Sequence, residues 1–311
     1  MIIYGAGMAG LLAGQMLRRF EPEIREAQSD LPNNHEALLR FRTDAVSRVI
    51  GIPFKKVRVD KAISYHRRLI TVPNLKLSNL YSLKVTGEVV GRSIMNLEPV
   101  ERYIAPLDLI PQMARGLNIR YSMPLTKDEA IVTLNDRKEP LISTVPMPVL
   151  MKIMGWDQMP EFKYRGIWSL WTTVIEPGID VYQTIYYPDP QEPYYRASIC
   201  GDRIIIEYIS EPQTPIDDLY RIAIDFGIPI QHEGPRYEPK FQPYGKLLPI
   251  DNGERKRFIL AMTDLHRIYS LGRFGTWRQI LMDDVVQDIR LIEGWVTERD
   301  TYVQRLHKQG E

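Results

Sequence analysis

One cysteine, Cys200, stands among 311 residues. That excludes an internal disulfide framework and fits a reducing, cytoplasmic setting. One cysteine and five scattered histidines make no zinc ligand set, so no metal is expected. No apolar run reaches membrane-spanning length, and no membrane association is expected. The apolar N-terminus carries no basic leader and is broken by glycines, unlike a signal peptide. Because Ile2 and Ile3 open a strand at once, no targeting extension is expected. Internal repeats and low-complexity tracts are also lacking. A hydrophobic share of 44% with 25% charged residues is that of an ordinary globular chain.

The opening, Met1-Ile2-Ile3-Tyr4-Gly5-Ala6-Gly7-Met8-Ala9-Gly10, is a short buried strand running into G-x-G-x-x-G. Leu11 to Phe20 then reads as a helix. Strand, glycine turn and helix together place a dinucleotide pyrophosphate on a helix N-terminus. Gly5 permits the tight turn, Gly7 the approach of phosphate, and Gly10 close packing of helix on strand. Glu23 to Ala27 reads as a second strand. Glu26, sixteen residues after Gly10, is placed to take ribose hydroxyls and to repel a 2′-phosphate. Both NAD and FAD fit this pattern. The chain does not go on as regular βαβα units, which favours FAD.

Further along, residues 35–50 have partly helical spacing and stop at Gly51-Ile52-Pro53. Residues 55–95 read as short strands and turns. A short helix is predicted over 106–116, strands over 118–123 and 130–134, and a strand over 141–148 ending at prolines. Four antiparallel strands are predicted at 167–174, 181–187, 194–199 and 203–208, separated by Gly and Pro turns. Their aromatics fill a core or line a pocket. Helices are expected at 216–226 and at the chain's end. The fold class is α/β (α+β). The nucleotide-binding part is assigned to 1–50, 100–155 and 235–311, and a substrate-binding part to 51–99 and 156–234.

The formal net charge of +1 hides an asymmetry. From His35 to Ile70 nine basic residues, among them Lys55, Lys56 and Arg58, face three acids, so this stretch carries +6 and the remainder about −5. It is either a solvated face with one or two arginines for a pyrophosphate, or a surface for a polyanion or a phosphorylated substrate.

Near the C-terminus stands Tyr269-Ser270-Leu271-Gly272-Arg273-Phe274-Gly275-Thr276-Trp277-Arg278, then Met282-Asp283-Asp284. It reads as a strand, a glycine-rich turn and a helix whose first turn is acidic. This G-R-F-G-T-W-R-x-x-x-M-D resembles the closing signature of UDP-galactopyranose mutases and the wider amine-oxidase-like FAD superfamily. Together with the first glycines, Glu26 and Ile142-Ser143-Thr144-Val145-Pro146, the likeness spans the chain. It implies FAD, a Rossmann-like FAD domain assembled from several segments, and an inserted antiparallel-sheet substrate domain. Carried over, Gly5, Gly7 and Gly10 hold the pyrophosphate and Glu26 the adenosine ribose, with Ala6, Met8, Ala9 and Ala27 as further cofactor-binding positions. Arg40, Phe41, Arg42 and Thr144 add cofactor contacts, and Gly272, Arg273 and Met282 sit at the flavin end. Gln279 stands where the mutase pattern has a tyrosine.

His35 to Ser47, followed by Gly51 to Val59, is similar to compact phage-encoded FAD-dependent oxidoreductases. Some of these work in thymidine hypermodification. The similarity implies oxidation or lyase cleavage at a C–N centre, as in a glycine-modified thymidine in phage DNA, within host cytoplasm. The partner implied is an amine or amino-acid-bearing substrate. Catalytic candidates are Lys246, on a loop between Gly245 and Leu247-Leu248-Pro249, with Arg42, Gln279, Trp277, Tyr187 and Arg196. Trp168, Trp171 and Tyr186 are further sheet aromatics. A mutase-like reaction on a nucleotide sugar is the alternative.

Overall fold

The computed structural model describes residues 1–35, 38–90, 93–133, 136, 139–173, 180–228 and 239–309, with side chains described except at 93 and after 298. Glu36, Ala37, Leu134, Val174 and residues 235–238 of the sequence reading lie outside these. The strands are β1 (Ile2–Tyr4), β2 (Glu23–Arg25), β3 (Lys55–Tyr65), β4 (Arg68–Ile70), β5 (Val100–Ile104), β6 (Asn118–Arg120), β7 (Leu141–Ser143), β8 (Tyr164–Thr173), β9 (Tyr182–Tyr186), β10 (Tyr194–Cys200), β11 (Arg203–Tyr208), β12 (Lys240–Leu247) and β13 (Ile268–Ser270). The helices are α1 (Met8–Met16), α2 (Ala45–Ile50), α3 (Leu75–Thr86), α4 (Leu109–Ala114), α5 (Lys127–Ala130), α6 (Met147–Met154), α7 (Pro215–Phe226), α8 (Asn252–His266), α9 (Gly272–Gly275) and α10 (Met282–Gln309). Among the described residues no helix is long and apolar enough to cross a membrane.

Two compact units emerge. The first comprises Met1–Lys55, Tyr103–Phe162 and Pro249–Glu311; the second comprises Lys56–Arg102 and Lys163–Leu248. Residues 240–248, which the sequence reading gave to the nucleotide-binding part, belong to the second unit. The reason is pairing: β12 runs antiparallel along β8.

The first unit carries a parallel sheet of order β13-β7-β1-β2-β6. Ile3, Ile24 and Ile142 lie level across its middle and are fully buried. Strands covered on both faces read as apolar runs, as β1 and β7 do, whereas β2 (Glu23-Ile24-Arg25) and β6 (Asn118-Ile119-Arg120) towards the sheet edge keep polar flanks. Leu11 and Leu12 of α1, Leu17 at its C-cap, and Val286 and Ile289 of α10 complete the core. From β1 the chain goes to β2 and β6 on one side, while β7 and β13 return on the other. The order therefore reverses between β1 and β7, where open α/β sheets hold ligands at their carboxyl edge.

In the second unit the sheet order is β12-β8-β11-β10-β9-β3-β4, with β5 on β3. The four predicted strands are all present, but not as a simple meander. β8 pairs with β11 rather than with β9, and β9 runs parallel to β3. One sheet face is apolar: Leu170, Ile185, Tyr187, Ala197, Ile204 and Ile206 pack with Leu219 and Ile222 of α7.

Two stretches depart from expectation. Residues 55–95 hold α3, not strands and turns throughout. Its start is fixed by the Asn74 side chain, which accepts from Leu77 N–H, and its end by Gly87 in the left-handed region. Leu77, Tyr81 and Val85 then share one buried face. Among the described residues of 130–134, Ala130 to Thr133 do not form the expected strand, because Ala130 closes α5 after a Thr126–Glu129 capping box.

α3 also carries Lys84, only 8% exposed. Its ammonium donates to the carbonyls of Tyr187 (2.9 Å), Asp189 (2.6 Å) and Tyr194 (2.7 Å). Three donors meet three acceptors at the β9–β10 connection. Burial pushes the Lys84 pKa down to about 7, against the pull of Glu192 and Asp189. Lys84→Met is expected to cost about 3 kcal/mol, because it leaves buried carbonyls without donors. Denaturant unfolding measures this; a loss under about 0.5 kcal/mol, the scale of a plain surface change, would refute the tether.

Candidate functional site

The β1–α1 turn is built by absent side chains. Gly5 has φ +96°, and a Cβ there would lie 2.1 Å from Thr144 Oγ1. A Cβ on Gly10 would lie 1.9 Å from the Gly5 carbonyl oxygen. Neither neighbour has room to move, since one is backbone and the other is held by Tyr4. Around Gly7, by contrast, nothing lies within 4 Å of a built Cβ. Gly7 is the N-cap of α1, with no side-chain cap and no acid in the first turn. Such a helix start leaves its first N–H groups and its positive dipole end for an anion.

Glu26 follows β2 and braces this turn. Its Oε2 accepts from Ala6 N–H at 2.6 Å and its Oε1 from Gln28 N–H at 3.0 Å. Ala27 beside it is exposed. A carboxylate has about four lone-pair sites, so acceptor capacity remains for hydroxyls.

On the other side of β1, Thr144 donates to the Tyr4 carbonyl from both N (3.0 Å) and Oγ1 (2.9 Å). Leu271 N–H donates to the Ser143 carbonyl at 2.9 Å. Gly272, at φ +79°, would place a Cβ 2.9 Å from Ala9 Cβ, and Gly275 would place one 2.8 Å from the Ser143 carbonyl. Thus Gly5, Ala9, Thr144, Gly272 and Gly275 come together at the reversal point. The C-terminal signature is more broken than expected. A single-turn helix, α9, precedes α10, and Trp277 between them sits at φ +47°.

Other candidates in this unit have mixed surroundings. Phe41 is fully buried, edge-on to Phe54 at 4.9 Å, so it packs the core. Trp277 is buried against Phe162, at 4.8 Å between ring centroids. Gln279 is exposed; Arg40, Arg273, Met8 and Met282 are half-buried. Arg42 is tied down: its Nη2 meets Asp284 Oδ1 at 2.5 Å. Asp283 accepts from Arg42 N–H (3.0 Å), Thr43 N–H (2.8 Å) and Thr43 Oγ1 (2.6 Å). Burial works against ionisation of Asp284, but the Leu281 N–H and Arg42 outweigh it and hold its pKa below the usual range. Sequence reasoning took Asp283 and Asp284 as helix-start acids and missed that they clamp a segment about 240 residues away.

In the second unit Lys246 is not on a loop. It lies in β12, after a register shift between Gln242 and Lys246. Gly245 makes the close strand approach possible, since a Cβ there would lie 2.2 Å from Ile167 Cγ1. Lys246 Nζ is 3.9 Å from Glu207 Oε1 and 4.5 Å from the Tyr195 ring centroid. Arg196 Nε donates to Glu207 Oε2, and Tyr195 OH to Glu207 Oε1 at 2.9 Å. Lys246 and Arg196 therefore share Glu207, a residue the sequence did not single out. Tyr187 does not join them. It packs on the opposite, apolar face, where burial pushes its hydroxyl pKa well up. Tyr186 sits with Tyr81 at 5.4 Å, and Trp168 with Phe241 at 5.1 Å. Arg42, Gln279 and Trp277 belong to the first unit.

The basic segment is partly neutralised. Lys56 pairs with Glu101 at 2.7 Å, Arg58 with Asp60 at 3.8 Å, and Lys61 donates to the Asn96 carbonyl at 2.7 Å.

No protein-family model matches the chain, and no curated protein matches it in sequence. Solved structures do match its fold. A reduced UDP-galactopyranose mutase is 15% identical, with a TM-score of 0.67, covering 95% of this chain and 93% of its own. A putative protoporphyrinogen oxidase from Exiguobacterium sp. 255-15 is 11% identical, with a TM-score of 0.56, covering 96% and 98%. An oxidoreductase from Methanosarcina mazei is 11% identical, with a TM-score of 0.52, covering 94% and 99%. The fold class is thus the mixed α/β fold of these proteins, as the glycine motif and the closing signature implied.

Gly10→Val is expected to destabilise the fold by about 3 kcal/mol or more, because the added atoms meet backbone. Gly7→Ala should fold normally, since its site is open, and weaken ADP binding, ADP being common to both candidate dinucleotides. Thermal melting with ADP titration separates the two. A normally folded Gly10→Val that still binds ADP would count against the turn as described.

Proposed function

We propose that the chain binds FAD and acts as an FAD-dependent oxidoreductase at a C–N centre of an amine or amino-acid moiety. The observation that carries the cofactor reading is the uncapped start of α1 over open Gly7, at the sheet's reversal point. Gly5, Ala6, Gly7, Met8, Ala9 and Gly10 take the pyrophosphate. Glu26, beside Ala27, takes ribose hydroxyls and disfavours a 2′-phosphate. The Gly272 turn, which touches Ala9, favours FAD over NAD, with Thr144, Arg273 and Met282 around it and Arg40 and Arg42 as further contacts. When bound, FAD accepts a hydride from the carbon next to nitrogen. The chain's own part is to orient that carbon and to keep the amine neutral.

Within this reading the substrate moiety is carried on a modified thymidine of phage DNA, a branch that rests on the segment 35–59 and its basic residues. A second reading, a non-redox mutase acting on a nucleotide sugar, draws support from the 0.67 match over 95% of the chain. Gln279 in place of the mutase tyrosine counts against it.

The purified protein is expected to be yellow, with an FAD absorption spectrum. Anaerobic addition of glycine-modified thymidine DNA or free amino acids should bleach it, and UDP-galactose should not. A colourless protein that FAD cannot reconstitute overturns the cofactor; conversion of UDP-galactose with no net bleaching moves the assignment to the mutase.

Neutralising Lys55, Lys56 and Arg58 together should weaken DNA binding and flatten its salt dependence, each lost phosphate contact lowering the log–log slope by about 0.9. FAD content should stay the same. No DNA binding by the parent at low salt would end the nucleic-acid branch and leave a small amine as substrate.

A further inference from the structure

We propose that the β3–β4 hairpin and the outer side of α3 form a surface that docks on an anionic lipid bilayer. This is independent of the redox reading above.

The charge of this stretch is one-sided. Between Asp60 and Glu88 there is no acid, while Lys61, Arg67, Arg68, Lys76 and Lys84 are basic. Two of these cations are spent inside the unit. Lys61 donates to the Asn96 carbonyl, and Lys84 is buried against three others. His66 faces Asp189 at 3.5 Å, so its ring adds no unmatched charge. Arg67, Arg68 and Lys76 stay exposed, and among the described residues no carboxylate comes within ion-pair distance of them. Lys56, Arg58 and Lys163, in the same unit, have Glu101, Asp60 and Glu88 beside them.

Aliphatic side chains stand among the free cations. Leu69 of β4, Val72 in the following link, and Leu75 and Leu83 of α3 are 49%, 68%, 65% and 46% exposed. Scattered exposed leucines are ordinary, but four such residues within fifteen make a patch. The period of α3 shows the same bias. Leu77, Tyr81 and Val85 face the core. The opposite stripe, Lys76, Asn79, Leu80 and Leu83, runs at i, i+3, i+4 and i+7. Charged and polar residues ordinarily fill the outer stripe of a surface helix. Here it holds one lysine, no acid and two leucines.

The hairpin carries its cations at its tip. It turns through His66 and Arg67, both at positive φ (+48° and +60°), beyond the last pair, Tyr65 and Arg68. Asn-Gly is the favoured pair for such a backbone, so the arginine here is held at some steric cost.

Free cations next to exposed aliphatics select a bilayer over a nucleic acid. Nucleic-acid phosphates would neutralise the arginines and leave Leu69, Val72 and Leu75 in water. An anionic leaflet offers headgroup charge to the arginines and acyl chains to the aliphatics just beneath. With twelve residues α3 is too short to span a bilayer, so the contact is with one leaflet.

Co-sedimentation of the full chain with vesicles of equal parts phosphatidylglycerol and phosphatidylcholine tests this surface. Vesicles of phosphatidylcholine alone and a DNA duplex serve as comparisons. The mixed vesicles should bind the protein about tenfold or more tightly than phosphatidylcholine alone. Arg67→Gln with Arg68→Gln should lose about twentyfold, at roughly fivefold per cation near an anionic surface. Val72→Ser with Leu75→Ser should lose about tenfold, since their burial among acyl chains is gone. All four positions are exposed, melting checks that each variant folds, and either pair alone decides the matter. Lys163→Gln, which removes a cation already paired, should leave vesicle binding unchanged. No binding to the mixed vesicles overturns the surface, as does binding that Lys163→Gln weakens as much as the arginine pair. Duplex binding without vesicle binding, dependent on Arg67 and Arg68 but not on Val72 and Leu75, gives the patch to nucleic acid and overturns the bilayer. A dimer in sedimentation equilibrium that Val72→Ser with Leu75→Ser dissolves gives it to a second copy and overturns it likewise.

Discussion

The approach of Gly10 to the Gly5 carbonyl is the constraint on which the first unit depends. A single added carbon would lie 1.9 Å from that oxygen. Its absence lets α1 come down onto β1, so the start of α1 sits at the carboxyl end of the strand. Thr144 fills the space that Gly5 leaves, and Glu26 receives the Ala6 N–H from the other flank. Gly272 then lies against Ala9 on the same terms. One close contact between backbones thus gathers segments from three parts of the chain around an uncapped helix start.

Elsewhere in this unit the long-range joins are made by charge. Asp283 holds the backbone of Arg42 and Thr43, while Asp284 holds the Arg42 guanidinium. Hydrogen bonds to ionised groups are the stronger kind, and here they span some 240 residues. Arg42 is therefore first a clamp, and its 45% exposed side chain remains available to an anion only in part.

The second unit rests on a sheet with two unlike faces. The apolar face is closed by α7, and Lys84 of α3 closes the β9–β10 connection by donating to three carbonyls. On the other face, where Ile63, Ile167, Tyr186 and Tyr195 pack with α3, Glu207 gathers Tyr195, Arg196 and Lys246. A buried carboxylate among cations is stable only if its lone pairs are met, and this one has a partner on each oxygen. The arrangement keeps Arg196 in place and at the same time leaves its outer nitrogen unspent.

Much of this was legible in the sequence because it depends on local rules. The glycine spacing after Ile2-Ile3-Tyr4, the acid at Glu26 and the Gly272–Gly275 turn each state a backbone requirement that neighbours in sequence decide. The alternating strands of 167–208 and the helix after Pro215 are of the same kind. Even α3 had its signals, Asn74 and Gly87, among residues read as strands and turns. What sequence could not decide is which side chains meet. The flanking Gly245 and Pro249 suggest a loop at Lys246, but pairing with β8 makes it a strand residue. Tyr187 looked like a pocket residue, yet the parity of β9 turns it into the core. Glu207 carried no local mark at all, since its importance comes from one bulge and two neighbouring strands. Local conformation follows from steric and hydrogen-bonding preferences within a few residues, whereas strand order, register and face are set by pairings between distant segments. The glycine turn between β1 and α1 therefore came from the sequence, and the Arg196–Glu207–Lys246 cluster from the tertiary structure alone.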